Sequence, residues 1–248
     1  MDAGEAPNQP TPPAKPLVQI LLGAVIRFAF YYWISAPRAP SSASVSSTSG
    51  DSPFWLVVRI LIIALLTVGL AYPIVKGQAR AYWGYFRGIT PLVLVQCLLV
   101  VVVTIAMGIA LAWRVPCFDR SWLYRFQVSG GKPMNVNLLP MTVKYVALLY
   151  AGLLVMNMPK LAHDEELDYR RGTPNWPHAL VRSIRFGLDH CFVGVPLSAG
   201  LALSVGGLWF SYQYFRGGVE RSTVHHLTYN TIIVTVIVTI CLFNGFAL

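Results

Sequence analysis

The chain has 248 residues, 55% of them hydrophobic and only 12% charged, and its mean hydropathy of +0.57 is not that of a soluble globule. A formal charge of +9 in a soluble domain would suggest nucleic acid. Here the basic residues are spread over loops and helix ends, which fits topology signals and lipid headgroups and argues against nucleic acid. The apolar stretches are of helix length rather than alternating ten-residue strands, which excludes a membrane β-barrel.

Residues 1–16 are Pro-rich and weakly charged and read as a disordered tail. They show neither a basic leader nor a small-residue cleavage site, so the first apolar run is expected to be an uncleaved anchor. Runs long enough to cross a bilayer recur near 17–35, 54–75, 90–112, 139–160, 178–197, 198–216 and 223–246. The expected fold is an all-α integral membrane protein, a polytopic helical bundle of six or seven transmembrane helices. The count turns on whether Pro196 separates the fifth run from the sixth. Residues 17–138 form an N-terminal set of helices, and residues 139–248 carry the chemistry.

Loop 36–53 is rich in Ser, Pro and Gly and reads as flexible. Loop 76–89 sets Lys76, Arg80 and Arg87 beside Tyr82, Trp83, Tyr85 and Phe86, the mixture that a cytoplasmic membrane interface prefers. The first loop is then external and the N-terminus cytoplasmic. Loop 113–138 falls outside despite Arg114, Arg120, Arg125 and Lys132, against the positive-inside rule. The connection around Lys160, Arg170, Arg171, Arg182 and Arg185 and the turn Arg216–Arg221 both suit the cytoplasm. Arg27, Arg59 and Lys144, in or near spans, are expected to snorkel to an interface. Cys97, Cys117, Cys191 and Cys241 form no CxxC pair and read as small apolar filler. The chain shows no internal repeat, which weakens a transporter reading.

Three polar islands interrupt the apolar C-terminal half: Glu165-Glu166-Leu-Asp-Tyr-Arg170, Phe186-Gly-Leu-Asp-His190 and His226-Leu-Thr-Tyr-Asn230. Ionisable groups at membrane depth are expensive, and their default reading is functional. Glu166 and Arg170 are i,i+4 with the acid N-terminal, the favourable order for a helical pair. Phe186 and His190 share one helix face, as do His226 and Asn230. A break at Gly172–Pro177, with Pro177 suited to a helix start, turns the chain back. At 1.5 Å per residue, Glu165 lies about 10 Å from that turn and His190 about 18 Å. From Ser222, read as an N-cap, His226 is about 6 Å in and Asn230 about 12 Å. All four depths run from one membrane side, with His190 the deepest. Each island alone has a bland reading, as a solvated ion pair or an interfacial histidine. Their occurrence together, in a chain so poor in Glu and His, points to catalysis.

The set Glu165-Glu166-x-x-x-Arg170, Phe186-x-x-x-His190 and His226-x-x-x-Asn230 resembles the CAAX prenyl endoprotease and bacteriocin-processing (CPBP) family of intramembrane proteases. The likeness covers about residues 160–235, and its Glu-Glu-Leu-Asp-Tyr-Arg-Arg-Gly stretch is close to the family's first motif. It implies an endopeptidase acting near the cytoplasmic face on a peptide or membrane-protein substrate, in the plasma membrane of a prokaryote. Glu165 and His190 would activate water, His226 and Asn230 would stabilise the oxyanion, and Glu166 with Arg170 would brace the site. The connection between the first two motifs is shorter and more polar than the family's, and Asp164, Asp168 and Asp189 crowd the site with extra acids. A catalytically silent membrane protein of the same fold, acting as an immunity or partner-binding factor, is the alternative. The expected mechanism needs no cofactor. An open zinc site on Glu165, His190 and His226 is the alternative chemistry.

Overall fold

A computed structural model describes residues 15–35, 53–119 and 144–243 of the chain. Among these residues seven α-helices run in order: α1 (Leu17–Ser35), α2 (Pro53–Val75), α3 (Gln78–Ala81), α4 (Pro91–Arg114), α5 (Lys144–Tyr169), α6 (Trp176–His190) and α7 (Leu197–Phe243). Short 3-10 segments cover Trp83–Gly88, Pro116–Asp119 and Cys191–Val193. All regular structure among the described residues is helical, as expected. The tail up to residue 14, loop 36–52 and most of loop 113–138 lie outside the described residues.

Local signals place the helix starts. Thr90 caps α4 by accepting from the Val93 amide at 3.3 Å, with Pro91 opening the helix. Asn175 does the same for α6, accepting from the His178 amide at 3.2 Å, with Pro177 in the first turn. The turn between α5 and α6 passes through Gly172 at φ 70°, a left-handed position that favours glycine.

Helix α7 is the axis of the molecule, with α4, α5 and α6 packed around it, α1 against α6, and α2 against α5. It is also two helices in one. At Gly218 the backbone takes φ 70° and ψ −167°, and the chain folds back on itself. Phe210 then stacks on His226, and Arg221 donates to Gln213 at 2.7 Å. The fold-back at Gly217-Gly218 is the turn expected after residue 216. Close approach decides the α6–α7 contact. A Cβ on Gly187 would lie 2.0 Å from the Gly200 carbonyl oxygen, and one on Gly207 would lie 2.9 Å from the Ser183 Cβ. Glycine and serine on both faces let the two backbones nearly touch.

The expected span count is not supported. Among the described residues, only Pro91–Arg114, with a mean hydropathy of 2.8, forms a stretch long and apolar enough to cross a membrane. The expected fifth span fails for a plain reason. Helix α6 has 15 residues, about 22 Å of helix, and carries Arg182, Arg185 and Asp189. The chain then turns through Cys191–Val193 and Gly194 at φ 97° before α7 begins.

Arg27 also departs from expectation. Rather than snorkelling, its Nε lies 2.5 Å from Asp189 on α6, an ion pair that ties α1 to the bundle. The side chains of Arg59 and Lys144 lie outside the described residues.

Candidate active site

The last turns of α5 run beside the second arm of α7, so Glu165 and Glu166 meet His226 although 60 residues separate Glu166 from it. Glu166 is fully buried. One carboxylate oxygen lies 2.8 Å from His226 Nδ1; the other accepts from the Ser222 hydroxyl and lies 3.6 Å from Arg170 Nε. A guanidinium and two hydrogen-bond donors converging on one carboxyl stabilise its ionised form. An ionised carboxylate only accepts, so Nδ1 of His226 carries a hydrogen.

The His226 ring has no solvent exposure. It stacks on Phe210, with centroids 4.2 Å apart and planes 18° apart, and meets the edge of Phe186 at 5.4 Å. Its Nε2 lies 3.2 Å from a Glu165 oxygen, without the alignment of a hydrogen bond. Glu165 keeps 34% of its side chain exposed, although the oxygen that faces His226 is buried.

Arg170 is buried as completely as Glu166. Three rings surround its guanidinium, at 4.5 Å (Phe186), 5.4 Å (Phe210) and 5.5 Å (Tyr169). One nitrogen donates to the Gly207 carbonyl at 3.1 Å. Aromatic faces attract a desolvated cation and replace part of its lost hydration. The Glu166–Arg170 pair expected at i,i+4 is present and fully buried, which sets aside the bland reading of a solvated ion pair.

The other expected members fall elsewhere. His190 directs Nδ1 to the Phe186 carbonyl at 2.8 Å, and its ring lies 4.7 Å from the Phe186 ring. Phe186 contacts both imidazoles, and the neighbour of Glu165 is His226, not His190. Asn230 is half-buried one turn beyond His226 and makes no hydrogen bond among the described residues. Among the described residues no group of three His, Cys, Asp or Glu side chains is placed to hold a metal ion. The zinc alternative on Glu165, His190 and His226 therefore does not fit this arrangement, because the three side chains are not grouped around one point.

The extra acids do not crowd the trio. Asp189 accepts from Tyr169 at 2.6 Å and pairs with Arg27 and Arg185; Asp164 pairs with Lys160, and Asp168 is exposed.

Two contributors were not legible as such. Ser222 reads as an N-cap, yet it sits inside α7 and reaches Glu166; its i,i+4 spacing from His226 was the available signal. Phe210 gave no signal at all, since its stacking depends on the fold-back of α7.

No protein-family model matches this chain, and neither does any curated protein or solved structure in the comparisons made. The likeness to the CPBP proteases therefore rests on the three motifs.

Proposed function

We propose that this chain is a membrane-embedded peptide hydrolase of the CPBP type, acting through a Glu165–His226 pair. The observation that carries this reading is the His226 ring with both nitrogens facing carboxylates: Nδ1 the buried Glu166 braced by Arg170, and Nε2 a buried oxygen of Glu165, whose side chain is otherwise partly exposed. A structural ion pair needs no exposed member. A water-activating pair does, because its proton must come from a bound water.

In this reading Glu166 holds the imidazole by Nδ1 and leaves Nε2 to share a proton with Glu165. The pair takes one proton from water as the water oxygen adds to the scissile carbonyl. It returns that proton to the leaving amine as the C–N bond breaks. General acid–base transfer of this kind contributes about 10²–10⁴-fold. Asn230, one helical turn along the same face, is the candidate donor to the oxyanion.

Membrane residence is part of the proposal, and α4 supports it. Only 17% of its apolar window is buried, and Leu92, Leu98, Leu99 and Val102 stand on its surface. Hydrocarbon explains such a face better than water does. The experiment that tests the reading is comparative peptidomics of cells carrying the native chain or Glu165→Gln. A membrane-derived peptide whose C-terminus appears only with Glu165 supports it; identical peptide sets overturn it.

A further inference from the structure

A second feature is a groove whose lining includes none of Glu165, Glu166 and His226. It has a volume of about 950 Å³ and opens between α4, the start of α6 and the first arm of α7. That volume is within the usual range for a small-molecule site, roughly 300–1,000 Å³. Its walls are apolar and aromatic, chiefly Val100, Leu180, Leu208, Trp176 and Trp209. Tyr212, Arg216 and Arg221 gather where the groove meets the Gly217-Gly218 turn.

The two arginines set the chemistry. Both are exposed, and neither forms an ion pair among the described residues. Arg216 donates to the Tyr212 hydroxyl at 2.9 Å and lies over its ring; Arg221 donates to Gln213. Both guanidinium groups are thereby held at the groove while keeping further donors unused. Glu220, the acid nearest in sequence, is exposed and pairs with neither. The groove thus joins an apolar trough to a doubly cationic end, with Trp and Tyr between them. That is the sequence of environments along a phospholipid from acyl chain to headgroup.

We propose that this groove is a binding site for an anionic phospholipid, with one acyl chain along Val100, Leu180 and Trp209 and the phosphate held by Arg216 and Arg221. The proposal rests on the membrane placement above and not on peptide hydrolysis. Near a membrane surface each basic residue contributes about fivefold to the affinity for anionic lipid, so the pair is expected to give roughly thirtyfold.

The test uses the full chain reconstituted in phosphatidylcholine nanodiscs, with phosphatidylglycerol then titrated in and retained lipid measured by native mass spectrometry. The native protein is expected to retain phosphatidylglycerol about thirtyfold over phosphatidylcholine. The double variant R216Q/R221Q should lose that preference. Arg80→Gln, at an exposed arginine outside the groove, should cost no more than about fivefold, the share of one general surface charge. Leu180→Trp, which fills the trough, should reduce retention of both lipids. A native chain without headgroup preference overturns the proposal, as does an equal loss in Arg80→Gln, which would mark general surface charge. Leu180→Trp that leaves lipid retention intact but changes the oligomeric state overturns it in favour of a second copy of the chain. Failure to enter phosphatidylcholine discs overturns the membrane placement itself, which keeps that failure distinct.

Discussion

Glu166 and Arg170 stand one helical turn apart on α5, both with side chains fully buried, and their charged atoms approach to 3.6 Å. Breaking a buried pair leaves one charge uncompensated and costs about 3–5 kcal/mol, whereas replacing both partners by apolar groups costs far less. Glu166→Gln should therefore lower the unfolding temperature in detergent more than the double change Glu166→Leu with Arg170→Met. If the double variant is the less stable, Arg170 has a role that Glu166 does not share.

Glu165 differs in being partly exposed, at 34%. Glu165→Gln should leave unfolding within about 1 kcal/mol of the native chain, as surface substitutions usually do. Peptide hydrolysis by the purified protein should fall roughly 10²–10⁴-fold. Cleavage at a near-native rate would remove Glu165 as the base.

The two imidazoles are not equivalent. His226 touches both carboxylates, while His190 is turned to the Phe186 carbonyl. His226→Ala should abolish cleavage, and His190→Ala should lower turnover by less than about tenfold, the cost of losing packing on Phe186 alone. Equal loss in both would return His190 to the reacting centre. A kcat comparison on one peptide substrate decides it.

Helices α6 and α7 approach so closely at Gly187 that an added Cβ would sit 2.0 Å from the Gly200 carbonyl oxygen. Gly187→Ala must push the helices apart at a point adjoining Phe186, at a cost of about 1–3 kcal/mol. Reduced thermal stability together with reduced cleavage is the expected result. Unchanged stability would mean that the contact is loose.

Asp189 ties α1 to α6 through Arg27 at 2.5 Å while also accepting from Tyr169. About a third of the Arg27 side chain and a quarter of Asp189 stay exposed, so screening limits the pair. A double-mutant cycle of Arg27→Met with Asp189→Asn should show a coupling of about 1 kcal/mol or less, weakening with salt. A coupling near zero at low salt would show that apolar packing alone holds α1.

Much of this molecule follows from residues close together in the chain. Helical character, the breaks at Gly172 and at Gly217-Gly218, and the helix start at Pro177 were legible because each depends on a few neighbours and their own dihedral preferences. The pairing of Glu166 with Arg170 was legible for the same reason, since i,i+4 spacing is set by the helix itself. Helix α6 was misread because apolar residues on one face of a polar helix resemble a span when counted without their orientation.

Tertiary structure decided what lies across helices. Spacing along each helix measured the depths of Glu165, His190 and His226 from one membrane side, but depth says nothing of rotation about the helix axis. That rotation sets His226 between Glu165 and Glu166, while the Nδ1 contact of His190 stays within its own helix. It also brings Ser222 to Glu166, Phe210 under the His226 ring and Arg27 to Asp189. Such contacts depend on how side-chain faces interlock over 60 or 162 residues of separation, and no local pattern carries that information.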